Sequence, residues 1–264
     1  MQLAFIAQND LTGLEADCRF AVRHNIHFLE FNFWEEFAQV DQNYIRSIRG
    51  LLDAYGLQCA SFGIWGYNHI SPDSSERSDA QYQRERAIEF ATQLGSRVFV
   101  SGGGQISDVL DENVYTFARV MRPSIDAVHE RGMHYAVYGF HGGFLANPQA
   151  YDRLWSVVGD VGIKFDAANI AQAGFDYLDI LRRQGKRVKH VHIKEVLFHQ
   201  GERISEPPAG MGDIRWGPLL ALLYEAEYSG ILSIEPHGPF WTRPGQRERM
   251  ILLTRQYLLP FLYA

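Results

Sequence analysis

Cysteine is scarce: Cys18 and Cys59 are the only two in 264 residues, too few for a disulfide framework or a cysteine-type zinc motif. A reducing cytoplasm is the compartment this usage implies. No apolar stretch approaches the roughly 20 residues that a membrane-crossing helix needs. The opening MQLAFIAQND has five apolar residues in a row and no basic segment before them, so it reads as a first strand and not as a signal peptide. Positive charge is not in excess either. With 25 Lys and Arg against 31 Asp and Glu, the net charge is −6, which gives no electrostatic basis for binding nucleic acid or an anionic membrane. A phosphate-binding glycine fingerprint is also missing from the first strand-to-helix turn, AQNDLTG, which argues against an open dinucleotide-binding sheet.

What the chain does have is a repeating alternation. Short apolar segments at Leu3–Ala7, His27–Phe33, Leu57–Ile64, Arg97–Ser101, His134–Phe140, Gly162–Asp166, Val188–Lys194 and Ile231–Glu235 read as parallel strands buried on both faces. Helical patterns lie between them, including Asn43–Tyr55, Asp79–Leu94, Glu112–Arg131, Pro148–Val158, Tyr177–Gln184 and Pro218–Ala226, with a last one near Gln246–Leu259. Gly56, Gly95, Gly132, Gly185 and Gly230 each precede a strand and are expected to stop a helix in the left-handed conformation. Eight such units predict a closed (β/α)8 TIM barrel, with 1–264 as a single domain. Pro123 predicts a kink, or a break that restarts the helix there. Val196–Arg215, rich in Gly and Pro, reads as an irregular flap over the seventh strand. The apolar tail YLLPFLYA points to a homo-oligomer or to packing on the first helix of the same barrel.

In a barrel, side chains at the C-terminal strand ends converge on one face. Asp166, His192 and Glu235 each end such a strand, in GIKFDAANI, VKHVHIKE and ILSIEPHG. One imidazole and two carboxylates suit a single divalent ion, Mn2+, Mg2+, Co2+ or Zn2+, with positions left for substrate oxygens. The structural alternatives are an N-cap for Asp166, a core histidine for His192 and an ion-pair partner for Glu235. Lys194 lies two residues beyond His192, on the same strand face. It is either a cation that stabilises an enolate or donates a proton, or a rim lysine paired with Glu30, Glu195 or Asp213. Trp34 and Trp65 are the better candidates for platforms against the C–H face of a sugar. His69 either reaches the pocket or sits on a surface loop, and Trp216 reads as a structural residue opening a helix. The run SGGG at 101–104 lacks a P-loop continuation, so no phosphorylated substrate is indicated.

FDAANIAQAG, VKHVHIKE and GMGDIRWGPLLALLYEAEYSGILSIEPH together resemble the C-terminal half of the sugar phosphate isomerase/epimerase family with the xylose isomerase-like TIM barrel. HFLEFNFW, RERAIEFATQLGSRVFVSGG and HYAVYGFHGG extend the resemblance more loosely toward the N-terminus. It implies one divalent metal ion held by a Glu, an Asp, a His and a Glu on the last four strands, of which Asp166, His192 and Glu235 match. The fifth-strand glutamate does not: Gly139 stands there, with His141 two positions on as a fourth ligand, a substrate contact or an orienting group. The resemblance also places Asn169 near the substrate, with helix capping as the alternative, and Glu30 behind the site residues.

These implications describe an enzyme on a small-molecule carbohydrate substrate. It is a metal-dependent isomerase or epimerase of a sugar or keto-sugar working through an enediolate, with Glu235 moving the α-proton; the alternative is a lyase or dehydratase of a keto-inositol or 3-keto-glycoside. Loss of the fifth-strand carboxylate favours chemistry that one carboxylate base can run. A DNA-repair endonuclease of the same barrel type would need more metal ligands and a basic groove. An accessory protein that has lost catalysis would bind no metal.

Overall fold

A computed structural model describes residues 1–139 and 142–262. The chain runs β1 (Gln2–Ile6), α1 (Leu11–Arg23), β2 (Phe28–Phe33), α2 (Gln42–Tyr55), β3 (Gln58–Ile64), α3 (Ser74–Gln93), β4 (Val98–Gly102), α4 (Leu110–Glu130), β5 (His134–Tyr138) and α5 (Pro148–Val157). It continues through β6 (Gly162–Asp166), α6 (Ala167–Gln172), α7 (Tyr177–Gln184), β7 (Val188–Ile193), β8 (Leu197–His199), β9 (Glu202–Ser205), α8 (Trp216–Glu225), β10 (Ile231–Ile234) and α9 (Gln246–Leu258). Eight parallel strands close a barrel in the order β1-β10-β7-β6-β5-β4-β3-β2, the (β/α)8 architecture. No described helix is long and apolar enough to cross a membrane. Helix starts follow from local chemistry. Asp10, Asp41, Asp73, Asn147, Asp166 and Asp176 each accept a hydrogen bond from a first-turn N–H, satisfying a donor the helix leaves open.

Contacts cluster into two compact units, Met1–Ile6 with Phe165–Ala264, and Ala7–Lys164. In the first, β10 pairs with β1 from Gln2↔Ile231 to Phe5↔Ile234 and with β7 through Ser233↔His192. The stretch after β7 is not wholly irregular: β8 and β9 form an antiparallel hairpin. Its two-residue turn, Gln200–Gly201, has φ of 50° and 83°, the doubly positive pattern that matches strand twist. Part of the apolar tail is accounted for within the chain, since the Tyr224 hydroxyl on α8 donates to the Phe261 carbonyl at 2.5 Å.

In the second unit β2, β3, β4 and β5 pair in sequence, and β5 continues onto β6 through Ala136↔Gly162. Helix α4 passes through Pro123 without a break; the proline lies on the exposed face, where water can serve the carbonyl its ring leaves unbonded. Of the five expected glycine stops, Gly56, Gly95 and Gly132 are left-handed, whereas Gly185 and Gly230 are not. At Gly185 the requirement is space: an added Cβ would stand 2.8 Å from the Ala226 methyl.

Arg84 of α3 is only 2% exposed, held by a hydroxyl and an imidazole. Its Nε donates to Ser124 Oγ at 2.7 Å and its Nη1 lies 3.2 Å from His69 Nδ1. Burial, reinforced by the Arg84 charge, pulls the His69 pKa from 6.5 down to about 3. Above pH 6.5 the imidazole is neutral folded and unfolded; below it only the unfolded chain takes up the proton, so stability falls by about 1.4 kcal/mol per pH unit until the folded value is reached. From about pH 7.5 down to about pH 5.5, the stability read by urea unfolding should fall by about 1.4 kcal/mol more in the wild type than in His69→Gln, which retains an acceptor for Arg84. Equal losses in the two proteins would contradict this account.

Candidate metal centre

Asp166 is the last residue of β6 and the N-cap of α6. Its Oδ1 accepts from the Asn169 backbone N–H at 3.0 Å and its Oδ2 from the Asn169 side-chain amide at 2.7 Å. The capping expected as an alternative to ligation thus coexists with an orientation that leaves Oδ2 facing His192. Asn169 holds the carboxylate from behind. His192 lies near the end of β7, with Nδ1 3.0 Å from Glu235 Oε2 and 3.8 Å from Asp166 Oδ2. The Asp166 and His192 side chains are 1% exposed and that of Glu235 19%, so the cluster opens to solvent through the glutamate. One donor atom from each of the three residues lies within 4.8 Å of the other two. Two carboxylates converging on one imidazole in a buried setting fit a divalent cation: the ion would relieve their mutual repulsion, and a nitrogen with hard oxygens is a suitable donor set.

Lys194 follows β7 and reaches two carboxylates. Its Nζ is 3.8 Å from Glu235 Oε2 and 3.9 Å from Oε1 of Glu206, a residue that follows β9 and that sequence reasoning passed over. His237 also spans the pair, with Nδ1 3.7 Å from Glu235 Oε1 and Nε2 3.8 Å from Glu206 Oε1. Two expected rim partners of Lys194 are engaged elsewhere. Asp213 accepts from the Phe198 N–H at 2.7 Å. Glu195 accepts from the backbone N–H groups of Val196, Gly210 and Ile214 and from the Trp216 indole, at 2.8 to 3.1 Å. Burial raises the Glu195 pKa, with those four hydrogen bonds pulling the other way. Trp216, 1% exposed, opens α8 as a structural residue.

In the second unit, Trp34 and Trp65 stand with ring centroids 6.4 Å apart. Trp34 is 60% exposed and offers a free ring face. Trp65 is fixed by a chain: buried Glu30 accepts from the Asn32 amide at 2.8 Å, and Asn32 Oδ1 accepts the Trp65 indole N–H at 3.0 Å. A further cation escaped the sequence reading. Lys164 Nζ of β6 sits 4.6 Å over the Trp65 ring and 4.4 Å over that of Tyr138. His69 is not a surface histidine; it is fully buried. His141 lies outside the described residues.

A family model described as the xylose isomerase-like TIM barrel matches residues 18–256. The chain belongs to that family. An inosose dehydratase of Clostridium perfringens is 22% identical over 229 residues, covering 75% of this chain and 76% of that protein. Among solved structures, a D-psicose 3-epimerase with D-tagatose from Clostridium cellulolyticum H10 superposes with a TM-score of 0.81 at 12% identity over 100% of both chains. The IOLI protein, solved with a zinc atom, gives 0.77 at 16% identity over 99% of this chain and 98% of that one. The first two are named as enzymes of small sugar-like molecules, a dehydratase and an epimerase.

Gly139, the position that the sequence resemblance sets against a fifth-strand glutamate, is a steric exclusion. An ideal Cβ there would collide with the Leu145 carbonyl oxygen and lie 2.6 Å from the Leu145 Cβ. No side chain of any kind fits while that backbone stays in place.

Proposed function

We propose that the protein is a divalent-metal-dependent enzyme that removes the proton α to the carbonyl of a polyhydroxylated ketone and carries the resulting enediolate forward by β-elimination, as a dehydratase of an inosose or related keto-sugar. The observation that carries this reading is the division of labour on Glu235: Oε2 faces His192 and Oε1 faces His237, so one oxygen is available to a metal and the other to a proton. Asp166, His192 and Glu235 would hold the ion, which when bound supplies Lewis acidity that polarises the substrate carbonyl. Glu235 takes the α-proton as the C–H bond breaks, and that electron pair moves onto the carbonyl oxygen. When the pair returns, the β C–O bond breaks, and the departing hydroxyl leaves as water with a proton from Lys194. Asn169 is assigned the orientation of Asp166. The curated dehydratase relative and the filled position at Gly139 both favour elimination over two-base epimerisation.

Isomerisation or epimerisation is the second reading, because Lys194, 3.8 Å from Glu235, offers a partner able to return a proton to carbon. Mn2+-loaded protein incubated with an inosose and, separately, with a ketohexose distinguishes the two. Loss of one water from the inosose is the expected result. A new stereoisomer at constant mass, with no dehydration, would replace the first reading by the second, and activity that survives complete chelation would remove both.

A further inference from the structure

Lys194 and His237 each bridge Glu235 and Glu206, so the four side chains close a ring in which carboxylates alternate with nitrogen bases. Every link is 3.7 to 3.9 Å, too long for a direct hydrogen bond but short enough for one oxygen, set to the side of the line joining the two groups, to contact both. A lysine with one buried carboxylate neighbour would close onto it. Here two carboxylates at nearly equal distance draw the ammonium in different directions, which holds it short of contact with either.

Glu206 is itself fixed. Its side chain is 7% exposed, and Arg203 Nη1 donates to Oε1 at 3.1 Å while also bonding Gln172 Oε1 at 3.0 Å. On its other side the chain comes close at Gly238, whose φ is +77° and where an added Cβ would stand 3.2 Å from Glu206 Oε2. The hairpin of β8 and β9 therefore delivers this carboxylate to a set position.

We propose that Glu206 is a positioning residue of the reaction: it holds Lys194 away from Glu235, and the gap so kept receives a hydroxyl of a neutral polyhydroxylated substrate, which donates to the carboxylate and accepts from the ammonium. This rests on the reading of the site as one for a polyhydroxylated ketone. It also defines a substrate class, because an anionic group brought into the gap would meet two carboxylates.

The test compares Mn2+-loaded wild type with Glu206→Gln and Glu206→Asp on whichever of the inosose or ketohexose the wild type converts. Glu206→Gln should lower kcat about 30-fold with KM changed less than about 3-fold and Mn2+ affinity unchanged within about 2-fold, and Glu206→Asp should recover part of the loss. Unaltered kcat/KM, or a loss that merely follows weakened Mn2+ binding or a lowered melting temperature, overturns the proposal. If the wild type converts neither ketone, it is the functional reading that fails, and the positioning claim is settled by crystal structures of the wild type and Glu206→Gln. Released from Glu206, Lys194 Nζ should close from 3.8 Å to hydrogen-bond distance of Glu235 in the variant. An unmoved Nζ would overturn it.

Discussion

Glu235→Gln is expected to reduce turnover about 10,000-fold while leaving the fold intact. The substitution keeps the size of the side chain and a hydrogen-bond partner for His192 at 3.0 Å, so little packing is disturbed. On the proposed reading it removes two separate functions. As a general base the carboxylate is worth about 100- to 10,000-fold, and as an anionic ligand it contributes to holding the ion that polarises the carbonyl. Mn2+ affinity measured by titration calorimetry should fall as well, whereas Asp166→Asn should lower affinity and leave the Glu235 base in place. Saturating Mn2+ would therefore recover much of the Asp166→Asn activity and little of that of Glu235→Gln. Recovery of Glu235→Gln to near wild-type turnover by added metal would show that Glu235 is a ligand only.

Glu195→Ala should be the most destabilising single change near the site. Its buried carboxylate serves three backbone N–H groups and the Trp216 indole. Leaving a buried donor unsatisfied costs about 1–3 kcal/mol. Removal of all four bonds, partly offset by relief of a desolvated carboxylate and by entering water, should cost about 4 kcal/mol in urea unfolding. Gly212 shows how closely the loop is fitted, since a Cβ there would lie 2.7 Å from Glu195 Oε1. The effect should also reach the ring around Lys194, because Gly210 and Ile214 flank the exit from Glu206. A loss below about 1 kcal/mol would mean that the loop is held by other contacts.

The barrel was legible because its strands are apolar on both faces and separated by helices of regular period; observed strand limits depart from the expected ones by at most two residues. Asp166, His192 and Glu235 were legible for the same reason, each marking where an apolar run ends, and Lys194 followed from strand alternation. Glu206 was not. It reaches the site from a hairpin whose strands are three and four residues long and largely polar, so neither hydrophobic period nor strand-end position marks it. The positive φ values at Gln200 and Gly201 define a hairpin turn, but glutamine at the first position is not a residue that advertises one. Lys164 was hidden differently: within GIKFD it reads as a polar interruption of a buried strand, and only folding reveals that its ammonium rests on Trp65 and Tyr138.

The Leu145 carbonyl that fills the space beside Gly139 bears on the redesign of such barrels. Placing a glutamate at Gly139 by changing one codon would introduce a side chain with nowhere to go, so the first effect is a loss of folding with no gain of chemistry. The loop carrying Phe144 and Leu145 has to move before, or together with, the substitution. An engineer wishing to place a carboxylate at this position must therefore redesign the loop and the strand end as one unit.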